Sequence, residues 1–589
     1  MNENKNMIMA IGLSIAILVG FQLYSDMTRP PATEQTEATM GGAKPAGNTA
    51  IPKPGPVQAG NLPTVGGAQI PNIPGSAPIA DTSRAEILAK NNRVAINTPR
   101  LHGSIALRGG RIDDLTLADY RETLDPNSNE IIVLSPKGVT GAYYAQFGWV
   151  SGDGVKVPDQ ESIWTANRKT LTPEQPVTLT WDNGSGLKFS RTYSVDENYM
   201  FAVDQKVENT GASPAALYPF GFISRRGKPE TTNFYILHEG LLGVSDGTLS
   251  EIDYDEIKDQ KEVKQTSTGG WIGITDKYWL AALVPDQKLE TATRYLHQTE
   301  GLIDKYQVDY LGPQQSVGAN GSIASLNHFF VGAKEVKLLD KYEQKYGIAR
   351  FDLAIDFGVF YFLTKPIFYA LLWLNGHVLN LGIAILMLTV CIKAALFPLA
   401  NKSYTSMSKM KKLAPEMTKL RERYADDKMK LNQEMMALYK KEKVNPASGC
   451  LPIVVQIPVF FALYKVLFVT IEMRQAPFFG WIQDLSAPDP TSVFNLFGML
   501  PFTPPDFLMI GVWPLIMGIS MFLQQKLNPQ PTDPIQAKIF LFLPIMFTFM
   551  LARFPAGLVI YWAWNNSLSM LQQWLIMRKM GLTGKQALQ

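Results

Sequence analysis

Polar side chains set in apolar surroundings carry most of the chemical promise of this chain. Lys393 lies in LNLGIAILMLTVCIKAALFPL (379–399), and a charge at the centre of a membrane helix costs roughly 2.5–3.5 kcal/mol on insertion scales. Gln456 lies in LPIVVQIPVFFALYKVLFVTI (451–471), and Asn565, Asn566 and Ser569 fall in the apolar run 558–576. An ammonium among neutral amides can hold a carboxylate or line a wet cavity. The same amides can instead bridge helices, at about 0.6 kcal/mol on average. For Lys393 a second reading is a stem that snorkels to the headgroups. Ala394–Leu399 adds roughly a turn and a half of apolar chain beyond it, which favours the cavity. Trp562, about one turn into the last run, reads most simply as a packing residue.

Other chemistries find little support. His102, His238, His297 and His328 are scattered without metal-ligand spacing, so no metal site is expected, and they read as structural or surface residues. A carboxylate pair for glycoside chemistry cannot be picked out among the many Asp and Glu. No GxxxxGK[ST] motif is present, and no cofactor is expected. The two cysteines, Cys391 and Cys450, both fall in or beside hydrophobic segments, so no disulfide framework exists.

The elements that must position these groups fall into two classes. Charged residues make up 18% of 589, low for a soluble protein, and they thin out beyond Leu371. Residues 1–6 precede an apolar stretch at 7–24, near the ~20 residues a span requires. No small-x-small cleavage site follows, so it reads as an uncleaved anchor. Residues 25–84, rich in Pro, Gly, Ala, Thr and Gln, read as a disordered tether. Residues 85–345 alternate strand-like runs with turn signals, as in Val177–Trp181 before Asp182-Asn183-Gly184, Tyr199–Val207 before Asn209-Thr210-Gly211, and the runs 269–276 and 279–284. They predict a large antiparallel β-sandwich. Residues 346–378, aromatic on one side, predict an amphipathic helix in the outer interface.

Five further spans are expected at 379–400, 449–471, 508–526, 538–553 and within 554–577, the last two separated by the turn Arg553–Gly557. With the anchor these make six. Residues 401–448 hold twelve Lys or Arg against six acids, and 472–507 hold one Arg against four. The first loop is therefore cytoplasmic and the second periplasmic. Loop 527–537, tail 578–589 and the N-terminus then fall in the cytoplasm, and the sandwich outside. The first cytoplasmic loop reads as a helical hairpin turning at Asp426-Asp427. Met407, Met410, Met417, Met435 and Met436 give it a soft face. That face is either buried between the two helices or kept for clients. The basic outer side suits lipid headgroups or ribosomal RNA.

Several runs resemble the YidC/Oxa/Alb insertases. They are Phe397-Pro398-Leu399 with Tyr404–Met410, Gln433–Lys440 with Val444-Asn445-Pro446 and Gly449–Pro452, Arg474–Pro477, Trp481–Ser486 and Phe554–Leu558. The anchor and large external domain resemble the Gram-negative form. The resemblance implies an inner-membrane, multi-pass protein that is not an enzyme. Its fold would be an α-helical bundle with a five-helix core, plus an all-β periplasmic super-sandwich similar to sugar mutarotases. It implies a groove open to cytoplasm and lipid, with a basic residue attracting the acidic tail of an incoming protein. Lys393 falls at that position, where the family more often has Arg. Gln456 and Trp562 fall on groove or slide positions, Asn566 less closely. Implied partners are nascent membrane proteins, the Sec translocon, the ribosome and signal recognition particle pathway, and the bilayer, with no small-molecule substrate. A rival reading is a membrane-anchored carbohydrate-binding or carbohydrate-active protein. A small-molecule transporter is disfavoured by the lack of repeated spans.

Overall fold

The chain was analysed as a computed structural model that describes residues 83–90, 92–232, 237–442, 451–502, 504–505, 508–528 and 534–579. The expected anchor at 7–24, nearly all of the 25–84 tether and most of the tail at 578–589 lie outside the described residues.

Two sheets face each other in the β-domain. Among the described residues one has eleven strands and the other nine. The larger sheet is built around Ile303–Leu311, Ala215–Arg226, Tyr143–Ser151 and Arg111–Arg121, and the smaller around Trp279–Val284, Ser322–Ala333, Met200–Asn209 and Leu187–Val195. Pairing is antiparallel between neighbours, apart from the short parallel contact of Arg93–Asn97 with Thr170–Leu171. Leu187–Val195 buries every second side chain, as a strand with one face on a core must. Trp271–Thr275 is buried along its whole length. Aromatic side chains meet between the sheets, with Phe147 and Phe329 ring centres 5.9 Å apart. The runs expected as strands at Val177–Trp181, Tyr199–Val207, 269–276 and 279–284 are strands or contain them. Among the described residues three helices accompany the sandwich: α1 (Arg84–Lys90), α2 (Tyr254–Gln260) and α3 (Val336–Tyr346).

Helices follow: α4 (Tyr361–Val378), α5 (Leu381–Ala395), α6 (Phe397–Arg423), α7 (Lys428–Lys441), α8 (Leu451–Val469), α9 (Val512–Leu527), α10 (Pro534–Leu551) and α11 (Ala556–Lys579). Among the described residues no single helix is long and apolar enough to cross a membrane, but α5 and the first part of α6 pass that test together, bent by 68°. The break falls at Leu396, between Ala395 and the Pro398 that opens the next helix. At Gly518 of α9 an added Cβ would lie 2.0 Å from Thr548 Oγ1 of α10. Only glycine allows that approach of the two helices.

One hydrophobic cluster runs without interruption from the sandwich into the helices, through Phe351, Ile355 and Phe368 to Leu388, Leu467 and Tyr561. Polar contacts reinforce the joint. Lys365 Nζ of α4 binds Asp352 Oδ2 at 2.6 Å and Asp340 Oδ1 at 2.9 Å, while the hydroxyls of Tyr361 and Tyr369 donate to the same two carboxylates. Lys465 Nζ near the end of α8 binds Asp356 Oδ2 at 2.6 Å. The loop after α8 meets the sandwich where Gln475 Nε2 donates to the Arg121 carbonyl at 3.1 Å, and the end of α8 meets it where Lys277 Nζ sits 4.2 Å from the Phe468 ring centre. The same loop caps helices. The N–H groups of Ala556 and Gly557, orphaned at the start of α11, donate to the carbonyls of Ala487 and Leu485 at 2.7 and 2.9 Å. Asp489 Oδ2 accepts from Trp513 N at 2.9 Å at the start of α9.

Candidate functional site: a lysine among neutral amides

Helix α11 organises the polar interior of the bundle. Asn565 and Ser569 are four residues apart and share one face. Asn566 and Gln573, seven apart, share another. On the first face Lys393 Nζ of α5 donates to Ser569 Oγ at 2.7 Å, and Ser569 Oγ donates to the Asn565 carbonyl at 2.8 Å. Gln456 Nε2 of α8 donates to Asn565 Oδ1 at 3.1 Å. The Tyr404 hydroxyl of α6 also reaches the Ser569 side chain. Four helices therefore converge on one polar strip.

Lys393 is half-buried. Among the described residues no carboxylate comes within ion-pairing distance of its ammonium; its hydrogen bond goes to a neutral hydroxyl. Lysine's compact charge on a flexible stem is thus oriented but not neutralised. Trp562 continues the strip toward the start of α11. Its ring centre lies 5.0 Å from Phe460 of α8, one turn beyond Gln456, and 5.9 Å from Phe547 of α10.

Asn566 does not join this strip. It is buried on the other face of α11, donating through Nδ2 to Ser520 Oγ of α9 at 3.1 Å. Gln573 follows it there, donating to the Leu527 carbonyl at 3.0 Å. Lys393 and Gln456 are therefore brought together, Trp562 borders them, and Asn566 bridges helices. Tyr404 and Ser520 were not singled out in the sequence as site residues. The four-residue step from Asn565 to Ser569 was a signal for the first face, but nothing local marked Ser520 as a partner. Lys465 was also passed over, and its carboxylate partner, Asp356, lies more than a hundred residues away.

In the hairpin, Leu413 and Leu438 are buried, with Met410 and Met417 packed against them. Tyr439 of α7 meets Met417 of α6, O to S, at 3.9 Å. Met407 and Met435 are half-buried, and Met436 is 52% exposed. The methionines thus divide between a helix–helix seam and the surface.

The histidines of the β-domain have structural partners. His102, His238 and His297 face Glu130, Asp253 and Asp304 at 3.1, 3.1 and 2.9 Å, and His328 packs on Tyr346 with ring centres 4.4 Å apart. Asp340, Glu343 and Asp352 offer carboxylate oxygens within 4.8 Å of one another, and Lys365 already lies against two of them.

Among the described residues, a two-sheet β-domain shares one apolar core with a helical bundle in which a lysine donates to a neutral hydroxyl, and that combination defines the class: a β-sandwich fused to a helical bundle with a polar strip. Residues 93–370 match the family described as YidC periplasmic domain, and residues 373–583 match the 60Kd inner membrane protein family. A relative named membrane protein insertase YidC from Methylobacterium sp. (strain 4-46) is 50% identical, covering 99% of this chain and 96% of its own. Another of the same name, from Methylobacterium nodulans, is 51% identical with the same coverage of both chains. The chain belongs to the YidC family of membrane protein insertases, as an inner-membrane protein with a periplasmic β-domain. Among solved structures, an active YidC insertase crystal structure with the first transmembrane domain resolved covers 82% of this chain and 92% of its own at 18% identity and TM-score 0.34. A galactose mutarotase related enzyme from Lactobacillus acidophilus covers 41% of this chain and 97% of its own at 9% identity and TM-score 0.29. Superpositions that loose carry no inference about sugar chemistry.

Proposed function

We propose that the chain inserts membrane proteins by drawing the acidic tail of a client into a hydrated notch at Lys393, while the client's apolar helix slides along α8 and α10. The observation that carries this reading is the Lys393 ammonium, hydrogen-bonded to Ser569 inside an apolar bundle with no carboxylate beside it among the described residues. An unneutralised cation there is costly unless water reaches it or a transient anion uses it. Two unit charges ~4 Å apart gain about 4 kcal/mol at an effective dielectric near 20, enough to offset much of the cost of moving a carboxylate into the notch. Gln456, Asn565 and Ser569 extend the polar surface, and Trp562 with Phe460 supplies an apolar, aromatic flank for the client helix. Asn566 holds α9 to α11 and supports the wall.

The topology that goes with this function has six spans, with α5 continuing into the first part of α6, followed by α8, α9, α10 and α11 after the N-terminal anchor. Both termini and the hairpin α6–α7 lie in the cytoplasm, as the lysine and arginine bias supports. The exposed Met436 and the basic outer side of the hairpin then meet clients, ribosomal RNA or the signal recognition particle pathway. Cooperation with the Sec translocon belongs to the same reading.

The test is insertion in reconstituted vesicles. Lys393→Arg retains insertion of clients with acidic tails. Lys393→Ala lowers it, and Lys393→Glu lowers it further, by repulsion. Clients with uncharged tails change little. Full insertion of acidic-tailed clients by Lys393→Glu overturns the mechanism.

A further inference from the structure

The loop between α8 and α9 carries apolar side chains that the Lys393 strip does not use. In one lobe Phe494, Leu496, Phe497, Met499, Leu500 and Phe502 are 42–74% exposed. Residues 491–505 contain no Asp, Glu, Lys, Arg or His. In an earlier lobe Phe479 and Trp481 are exposed on either side of Gly480. Apolar patches this dense are rare on a surface that faces water.

These side chains are held outward by the backbone. Leu496 and Phe497 both take left-handed angles, φ +50° and +59°, which residues with a Cβ adopt only at a cost. The Phe497 N–H donates to the Ser492 carbonyl at 2.7 Å and the Leu500 N–H to the Asn495 carbonyl at 3.0 Å, so neighbouring bonds fix the strained turn. Beneath it, the Val493 N–H donates to the Ile510 carbonyl and the Val512 N–H to the Thr491 hydroxyl, both at 3.0 Å. The buried Asp489 ties the two lobes to α9. Its Oδ1 accepts from Trp481 Nε1 at 3.1 Å and from Thr491 N at 3.0 Å, and its Oδ2 from Trp513 N.

The surroundings say what occupies this surface. The lobes are rooted on the first turn of α9, and Ile516, Ile519 and Leu523 follow on that helix, all exposed and spaced as one face. An uncharged apolar loop at the end of an apolar helix face suits one continuous apolar medium. A stable protein interface takes roughly 20–30 residues a side and a polar rim, whereas these lobes are short and uncharged. Trp481, with its N–H satisfied inward and its ring exposed, has the character of a residue at a membrane surface.

We propose that this loop is an interfacial anchor, with Phe479, Trp481 and residues 494–502 entering the outer leaflet at the boundary of headgroups and acyl chains. The assignment rests on the reading that α9 spans the membrane with loop 472–507 on the periplasmic side.

The test is spin-label depth in the full chain, reconstituted without clients in vesicles of phosphatidylethanolamine and phosphatidylglycerol. With Cys391 and Cys450 replaced by serine, a nitroxide is attached in turn to Phe479→Cys, Met499→Cys, Ile519→Cys and Leu302→Cys. Leu302 is a fully exposed reference on a hairpin of the sandwich. Collision with oxygen is compared with collision with a water-soluble nickel chelate. Labels at 479 and 499 are expected to favour oxygen several-fold more than the label at 302, and to keep that preference when labelled chain is diluted with unlabelled chain in excess lipid. Nickel access at 479 and 499 equal to that at 302 would overturn the anchor. Protection that disappears on dilution would assign the surface to a second copy of the chain and overturn it too. Position 519 separates the two levels. Nickel access there refutes the spanning reading, whereas protection at 519 with free access at 479 and 499 refutes the anchor alone.

Discussion

Lys393 and Glu472 show how much depends on single charges in this chain. Lys393 donates to one neutral hydroxyl in an apolar bundle, whereas Glu472 sits just past the end of α8, in the loop that docks on the sandwich. Burial pushes the Glu472 carboxyl up to about 7, and its Oε2 has no hydrogen-bond partner among the described residues. A carboxyl whose pKa is raised by folding prefers its neutral form in the native state. The native state is therefore favoured below the ordinary value near 4.5 and loses that advantage as pH rises through about 7. Thermal unfolding of the full chain in detergent between pH 5 and pH 8 should show stability falling with pH in that window, by no more than about 1.4 kcal/mol per pH unit from this one group. Glu472→Gln should flatten that part of the profile and raise the melting temperature at pH 8 more than at pH 5. An unchanged slope in the variant would mean that Glu472 is solvated.

At the scale of elements, the joint between sandwich and bundle depends on α4. Its Lys365 bridges Asp352, beside the sandwich core, and Asp340 on α3. Lys365→Met should leave those carboxylates, together with Glu343, repelling one another. Its expected cost is roughly 1–3 kcal/mol, below the 3–5 kcal/mol of a fully buried broken pair because the site is partly exposed. Amide exchange should quicken over the first turns of α4 while the strands keep their protection. Lys365→Arg should largely retain the joint. Uniform loss of protection across the sandwich would instead make the cluster part of its core. Strands were legible because alternation and turn residues are local signals, as at Val177–Trp181 before Asp182-Asn183-Gly184. The polar residues of α11 stood out in the sequence, but their spacing did not separate the face of Asn565 and Ser569 from that of Asn566, which bonds to Ser520 instead. The joint was not legible, since Lys365 pairs with residues 13 and 25 positions away and Lys465 with one 109 away. Such pairings are set by how elements dock and leave no periodic trace. The break at Leu396 was also missed as a bend, though Pro398 stood in plain view.

For the whole molecule, the uninterrupted apolar core from sandwich to bundle makes the periplasmic domain a fixed base for the helices, and the bend between α5 and α6 turns the chain away from the axis just beyond Lys393. The account predicts that water enters the bundle from the cytoplasmic side as far as residue 393. Thiol accessibility tests this most directly. In a chain with Cys391 and Cys450 replaced by serine, Lys393→Cys is compared with Met387→Cys, an exposed position on the same helix. Inverted inner-membrane vesicles are treated with a charged, membrane-impermeant thiol reagent. The account predicts rapid labelling at position 393 and almost none at 387, where the side chain meets acyl chains. No labelling at 393, or equal labelling at both positions, would contradict it.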